Sequence, residues 1–193
     1  MLKKTLICAA LALGAATSAH AADGSSPIRF LIGGGVTFGG DKLATVTYTD
    51  GRTADIRAGG LAQIYAGLDY RMGNDVSMQV TAGYHVDDTN ADNGSLKFSR
   101  YPVELLAYYH ATDQIRIGGG VRFVNSPKIS SSGVISGNNV EFKNTTGIVI
   151  EGEYFFSPNF SMKLRGVKED YTVKDTDYSV SGNHFGALFN YYF

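Results

Sequence analysis

Along most of this chain, apolar and polar side chains alternate with a period of two, which is the signature of β-strands with two unlike faces. The first such stretch sets Ile28, Phe30, Ile32, Gly34, Val36 and Phe38 against Arg29, Leu31, Gly33, Gly35 and Thr37. The second sets Ala62, Ile64, Ala66, Leu68 and Tyr70 against Gln63, Tyr65, Gly67 and Asp69. The third carries Val76, Met78, Val80, Ala82, Tyr84 and Val86 opposite Ser77, Gln79, Thr81 and His85; the fourth alternates over 100–109 and the fifth over 115–123. A sixth covers 148–156, a seventh 160–165, and an eighth runs from His184 to Phe193. Short turns are expected at 71–75, 111–114 and 157–159, where Gly, Asn, Asp and Pro gather. Longer connections fall elsewhere, among them an acidic loop over 87–94 and a Ser/Gly/Asn loop over 125–139.

The charges decide which face looks where. Within the strands Arg29, Asp69, Arg100, Glu104, Arg116, Arg122, Glu151, Glu153, Lys163 and Arg165 all take the parity opposite the aliphatic and aromatic set. A soluble sandwich would turn its charges outward. Here the apolar face is the continuous one, and an arginine facing lipid at mid-depth costs roughly 2–4 kcal/mol. The reading is all-β: an eight-stranded antiparallel up-and-down transmembrane β-barrel with short periplasmic turns and long outer hairpins. The strands come close to the roughly 9–11 residues a tilted strand needs to cross a bilayer. Closure of the ring is required because lipid offers no partner to a free sheet edge.

Composition sharpens this picture. Twenty-four glycines, twelve tyrosines and eleven phenylalanines with no tryptophan suit aromatic-belted strands better than helices. Met1 to Lys4 is basic, Thr5 to Thr17 is apolar and small, and Ala19-His20-Ala21 fits a small-x-small cleavage site. Residues 1–21 are therefore expected to be a cleaved secretory signal peptide and 22–193 the barrel domain. Without Lys3 and Lys4, the 17 basic residues become 15 against 18 acidic ones, a charge of −3 that argues against nucleic acid as a partner. The sole cysteine, Cys8, falls in the signal, which removes disulfides, thiolate catalysis and cysteine-based zinc sites from the mature chain.

The last strand ends Phe189-Asn190-Tyr191-Tyr192-Phe193, with Phe189, Tyr191 and Phe193 on one parity. It resembles the C-terminal signal by which bacterial outer-membrane barrels are recognised for assembly. Arg100-Tyr101-Pro102-Val103-Glu104-Leu105-Leu106-Ala107-Tyr108-Tyr109 followed by Arg116-Ile117-Gly118-Gly119-Gly120-Val121-Arg122 resembles outer membrane protein β-barrel domain sequences. The chain is thus similar to the small OmpA/OmpX-type bacterial outer-membrane barrels over nearly its whole mature length. That resemblance implies an outer-membrane location, surrounding lipid and lipopolysaccharide, and assembly-machinery contact through Phe189, Tyr191 and Phe193. Its members range from adhesins to stabilisers to lipid-modifying enzymes.

Candidate chemistry is sparse. The ten inward charges read as a salt-bridged plug filling a narrow lumen; the alternative is a narrow small-solute channel. Glu151 and Glu153 share one strand with no substrate cleft in sight, so no catalytic residue is assigned. Gly39-Gly40-Asp41-Lys42 lacks the phosphate-loop spacing, and Asp88 to Gly94 lacks the glutamate that closes a calcium loop. His85, His110 and His184 show no metal-pair spacing, and no cofactor is expected. His184-Phe185-Gly186-Ala187 does not supply the His-x-Ser-Asn-like motif of a lipid A deacylase, the remaining enzymatic alternative. Asp50-Gly51 and Lys174 to Asp177 mark β-ribbon tips. Their hairpins are expected to join in a four-stranded protruding sheet, either docking a surface partner or shielding the barrel from lipopolysaccharide. The expected role is non-enzymatic: envelope integrity, or surface interaction and adhesion.

Overall fold

The computed structural model describes residues 26–47, 53–91, 94–133 and 139–193. The signal peptide expected over 1–21 and the Asp50-Gly51 tip lie outside them. The strands, in chain order, are β1 (Ile28–Gly39), β2 (Lys42–Thr47), β3 (Thr53–Arg57), β4 (Leu61–Met72), β5 (Val76–Ala91), β6 (Gly94–His110) and β7 (Ile115–Gly133). They continue as β8 (Val140–Glu141), β9 (Thr145–Ser157), β10 (Phe160–Lys168), β11 (Asp170–Thr172), β12 (Ser179–Ser181) and β13 (His184–Tyr192).

Eight of these form one antiparallel ring. Its order is β6-β5-β4-β1-β13-β10-β9-β7, and β7 pairs back onto β6. First and last strands meet from Leu31 opposite Tyr192 to Gly39 opposite His184. The ring is a closed eight-stranded barrel. Its outer face carries the apolar parity: Ile64, Ile117, Ile148, Ile150, Leu164 and Phe185 are all exposed, the last at 76 %. Rings gather at both margins of this band. Tyr70, Tyr109, Tyr154, Phe160, Tyr191 and Phe193 lie at the short-turn end, and Phe38, Tyr101, Phe123 and Phe185 at the other. Such paired aromatic belts frame the hydrocarbon slab. Inside, Gly33 and Gly118 make room for rings: a Cβ on either would collide with Tyr65 or Tyr108 respectively.

Two expectations are corrected. The four-stranded protruding sheet does not form; β2–β3 and β11–β12 are separate two-stranded ladders. The break is local. Gly39 (φ 130°) and Gly40 (φ 75°) take backbone conformations that only glycine adopts cheaply, and they turn the chain out of β1 before β2 begins. Asp41 stitches the two hairpins instead, its N–H donating to Ser181 O at 2.7 Å and its carboxylate accepting from Ser181 N at 2.8 Å.

The loops expected at 87–94 and 125–139 are largely strand. β5 and β6 stay paired out to Ala91 opposite Gly94, and β6 and β7 to Gly94 opposite Gly133. Polar composition suggested loops, yet Leu96, Phe98 and Val124 keep the inward parity of their strands, and Ile129 is buried too, past a register shift between β6 and β7 that moves the inward positions of β7 by one. The wall therefore continues past the aromatic belt. It runs from β5 through β6, β7 and β8, then crosses to β11 through the Phe142–Val173 bridge and two backbone bonds, Lys143 N to Thr172 O (2.8 Å) and Lys174 N to Glu141 O (2.9 Å). From β12 it passes through Asp41 to β2 and β3. Arg57 N–H completes the circuit by donating to the Asp87 carboxylate at 2.8 Å.

Candidate functional site

Below the upper belt the lumen holds an unbroken chain of alternating charges. Arg29 pairs with Asp69 (3.0 Å), Asp69 with Arg116 (2.7 Å), and Arg116 with Glu153 (2.8 Å). Glu153 faces Lys163 (3.7 Å), Lys163 binds Glu151 (2.8 Å), and Glu151 meets Arg165 (3.1 Å). Arg165 reaches Glu104 (2.7 Å), Glu104 holds Arg122 (2.5 Å), and Arg122 ends on Glu169 (3.0 Å). Cation and acid alternate throughout, so each charge is neutralised on the spot. Burial of unpaired charges would cost several kcal/mol each, and this pairing is the remedy.

Neutral side chains fill the remaining hydrogen-bonding capacity. Arg116 engages Ser77 Oγ (2.9 Å) and Tyr192 Oη (2.6 Å) besides its two acids, and its guanidinium lies 4.0 Å from the Tyr108 ring centre. Lys163 donates to Gln79 (2.6 Å) and Tyr108 (2.7 Å) as well as to Glu151. The Tyr108 hydroxyl bonds Glu151, Ser161 donates to Glu153, and Tyr65 donates to Asn190. Each of the five carboxylates in this column is engaged by at least one cation.

Nine of the ten charges singled out by parity meet in this chain; Arg100 does not. Its guanidinium is fully buried, donates to Gly60 O at 2.9 Å and lies 4.7 Å from the Phe98 ring centre. Its Nε and Nη1 have no hydrogen-bond partner among the described residues. Parity assigns a face, not a partner. Glu169, which ends the chain of charges, lies past the seventh expected strand and escaped the reading. The signal was there: Glu169 and Tyr171 keep the inward parity of Lys163 and Arg165. Phe189, Tyr191 and Phe193 all face outward, with Phe189 stacked on Phe160 at 5.9 Å.

Above Arg122 the interior changes character. Ile56, Ala58, Leu96, Phe98, Val124, Ile129, Phe142, Tyr171 and Val180 form one buried cluster. Phe98 packs edge-on against Phe142 (5.6 Å) and Tyr171 (5.4 Å). Burial pushes the Tyr171 phenol well above its usual range, so it stays protonated and donates a hydrogen bond to Glu169 at 2.5 Å. That bond joins the apolar cap to the charged column beneath. His85 sits at the same junction, with Nδ1 at 2.9 Å from Arg122 and Nε2 at 2.7 Å from Thr37.

A closed ring with lipid-facing aliphatics, two aromatic belts and a charged interior defines a transmembrane β-barrel. The chain belongs to the outer membrane protein beta-barrel domain family, whose model matches residues 8–193. It resides in the bacterial outer membrane, so the short turns are periplasmic and the cap faces outward. Among solved structures it is similar to Ail, the attachment invasion locus protein of Yersinia pestis, in complex with the heparin analogue sucrose octasulfate. That match has 14 % identity and a TM-score of 0.55, and covers 86 % of this chain and 97 % of Ail. The Neisserial surface protein A matches at 13 % identity and a TM-score of 0.50, covering 87 % of this chain and 98 % of the other. At these identities the likeness is one of fold. No curated protein matches the chain in sequence.

Proposed function

We propose that this chain is a sealed, non-enzymatic barrel that supports the integrity of the outer membrane and presents its capped end for contact with a surface partner. The observation that carries this reading is the column of charges bonded from Arg29 to Glu169 under an apolar cap. A lumen filled this way offers no hydrated path, and its acids are spent on structure. In this reading the partners are outer-membrane lipid and lipopolysaccharide around the wall. The assembly machinery reads the strand ending in Phe189, Tyr191 and Phe193, and a surface partner meets the outer hairpins. Tyr178, 67 % exposed on the turn between β11 and β12, is the aromatic anchor offered to that partner.

Planar-bilayer recording of the purified protein tests the sealed lumen. No stepwise conductance is expected, and a conductance abolished by neutralising Glu104 and Arg165 together would replace this reading with the channel. Surface contact is tested by whole-cell binding to host matrix and to sulfated glycans of the kind seen with Ail. Tyr178→Ser is expected to weaken that binding while leaving heat-modifiable folding intact.

A further inference from the structure

The opposite end of the barrel carries a site that the surface-contact reading does not use. Between the 111–114 turn, the end of β9 and the end of β4, the periplasmic mouth opens on a cavity of about 390 Å³. Arg29, Arg71 and His110 are among its lining, together with Phe155, Pro158 and Asp113.

Each of the three basic side chains is held from behind. Arg29 is tied to Asp69 at 3.0 Å and to Pro158 O at 3.2 Å, and it lies over the Tyr192 ring at 4.6 Å. Arg71 donates through Nη2 to Asn74 O at 2.6 Å, and His110 Nε2 meets Ser77 Oγ at 2.9 Å. A guanidinium has five N–H donors, so both arginines retain donors beyond these bonds. Side chains already immobilised lose little further freedom when a ligand binds. The charge is lopsided as well. Asp69, the acid behind Arg29, is shared with Arg116, and the other acid at the cavity is Asp113 on its rim.

We propose that this mouth binds a small carboxylate carried on an apolar body, taken up from periplasmic water. Arg71 and Arg29 receive the carboxylate, for which the planar guanidinium fork is the matching donor. Phe155 and Pro158 cover the apolar part, and Asp113 selects against higher negative charge. Phosphate headgroups of anionic lipid in the inner leaflet share the anion chemistry, so the test separates the two sources.

The test is calorimetric titration of the full mature chain, in nanodiscs of zwitterionic lipid, with benzoate and with acetate. Saturable benzoate binding is expected, with acetate roughly tenfold weaker for want of apolar contact. Arg71→Gln should weaken benzoate roughly tenfold, and Asp113→Asn should strengthen it a few-fold. Both positions are exposed at turns, and the heat-modifiable gel shift checks that the variants fold. In nanodiscs containing phosphatidylglycerol the benzoate affinity should be unchanged; its loss by competition would reassign the site to lipid headgroups and overturn a free carboxylate. Absence of saturable heat with folded protein, or an Arg71→Gln variant that binds like the parent, would also overturn it.

Discussion

The column of charges and the apolar cap occupy one continuous tube and obey opposite rules. Within the membrane the surroundings are hydrocarbon, so apolar side chains face outward and the ionised ones pair in the lumen. Above the upper belt the surroundings are water, and the same inward positions become Leu96, Phe98, Val124 and Phe142, packed as in a soluble protein. The strands do not change; the solvent does. The two halves meet where Arg122 binds Glu169 and Glu169 accepts from Tyr171. The lower half therefore depends on pairing and the upper half on burial, and substitutions should separate the two.

Removing Glu104 tests the column most severely, because Arg122 and Arg165 both rely on it. Glu104→Ala should lower the stability of the whole barrel by about 3–5 kcal/mol, the usual result of orphaning a buried charge. Urea unfolding in lipid vesicles, followed by the gel shift of the folded form, would register it. If the variant is as stable as the parent, pairing does not hold the lumen together.

Phe98→Ala should cost about 3–5 kcal/mol as well, through loss of a buried ring, but confined to the cap. Hydrogen exchange in nanodiscs should show faster exchange over 94–99 and 127–132 while 101–109 stays protected. Equal loss of protection in both segments would mean that cap and barrel unfold as one unit. On the lipid face, Ile150→Arg should cost about 2–4 kcal/mol, with Ile150→Ala as the control that removes the same side chain without adding charge. The two being equal would sink the outward assignment of that parity.

The smallest effect lies on the outer wall. Glu141 accepts a bond from Lys174 Nζ at 2.6 Å, which holds its carboxyl below the ordinary 4.5. Asp55, bonded to Thr45 and Lys42, is lowered likewise. A depressed carboxylate stabilises the fold above its unfolded pKa, and that contribution fades as pH falls through the folded value. Both ties should therefore be fully present at neutral pH and weaken progressively as pH falls below about 4.5 for Glu141 and about 3.8 for Asp55, and their exposure keeps the change slight. Amide exchange at Lys143 and Lys174, compared between Glu141→Gln and the parent across that range, would detect it; the pH dependence should vanish in the variant.

Much of the membrane part was legible because one physical contrast repeats along it. Ile117 looks out and Arg116 looks in, and the same alternation marks every crossing. The outer wall was not legible. Asp87, Asp88, Thr89 and the serines from Ser130 to Ser132 read as loop by polarity; Leu96 kept the period of β6, but in β7 a register shift past Asn125 breaks the alternation before Ile129. Once water replaces lipid, a polar outward face is what a strand should carry, and nothing in the chain announces where that exchange occurs. Arg100 was grouped with the column because parity cannot name a partner, and Glu169 was lost because the seventh strand was ended too soon.

Local alternation by itself determined that this is a barrel, how many strands close it and which side chains turn inward, since a period of two needs only neighbouring residues to express it. Which cation meets which acid was decided by the fold alone. Arg122 joins Glu104 from β6 and Glu169 from the junction of β10 and β11, and that meeting depends on register and shear around the whole ring. The same closure gathered Ile56, Phe98, Phe142 and Tyr171 into a cap from four separate segments, none of which could bury its apolar side chain by itself.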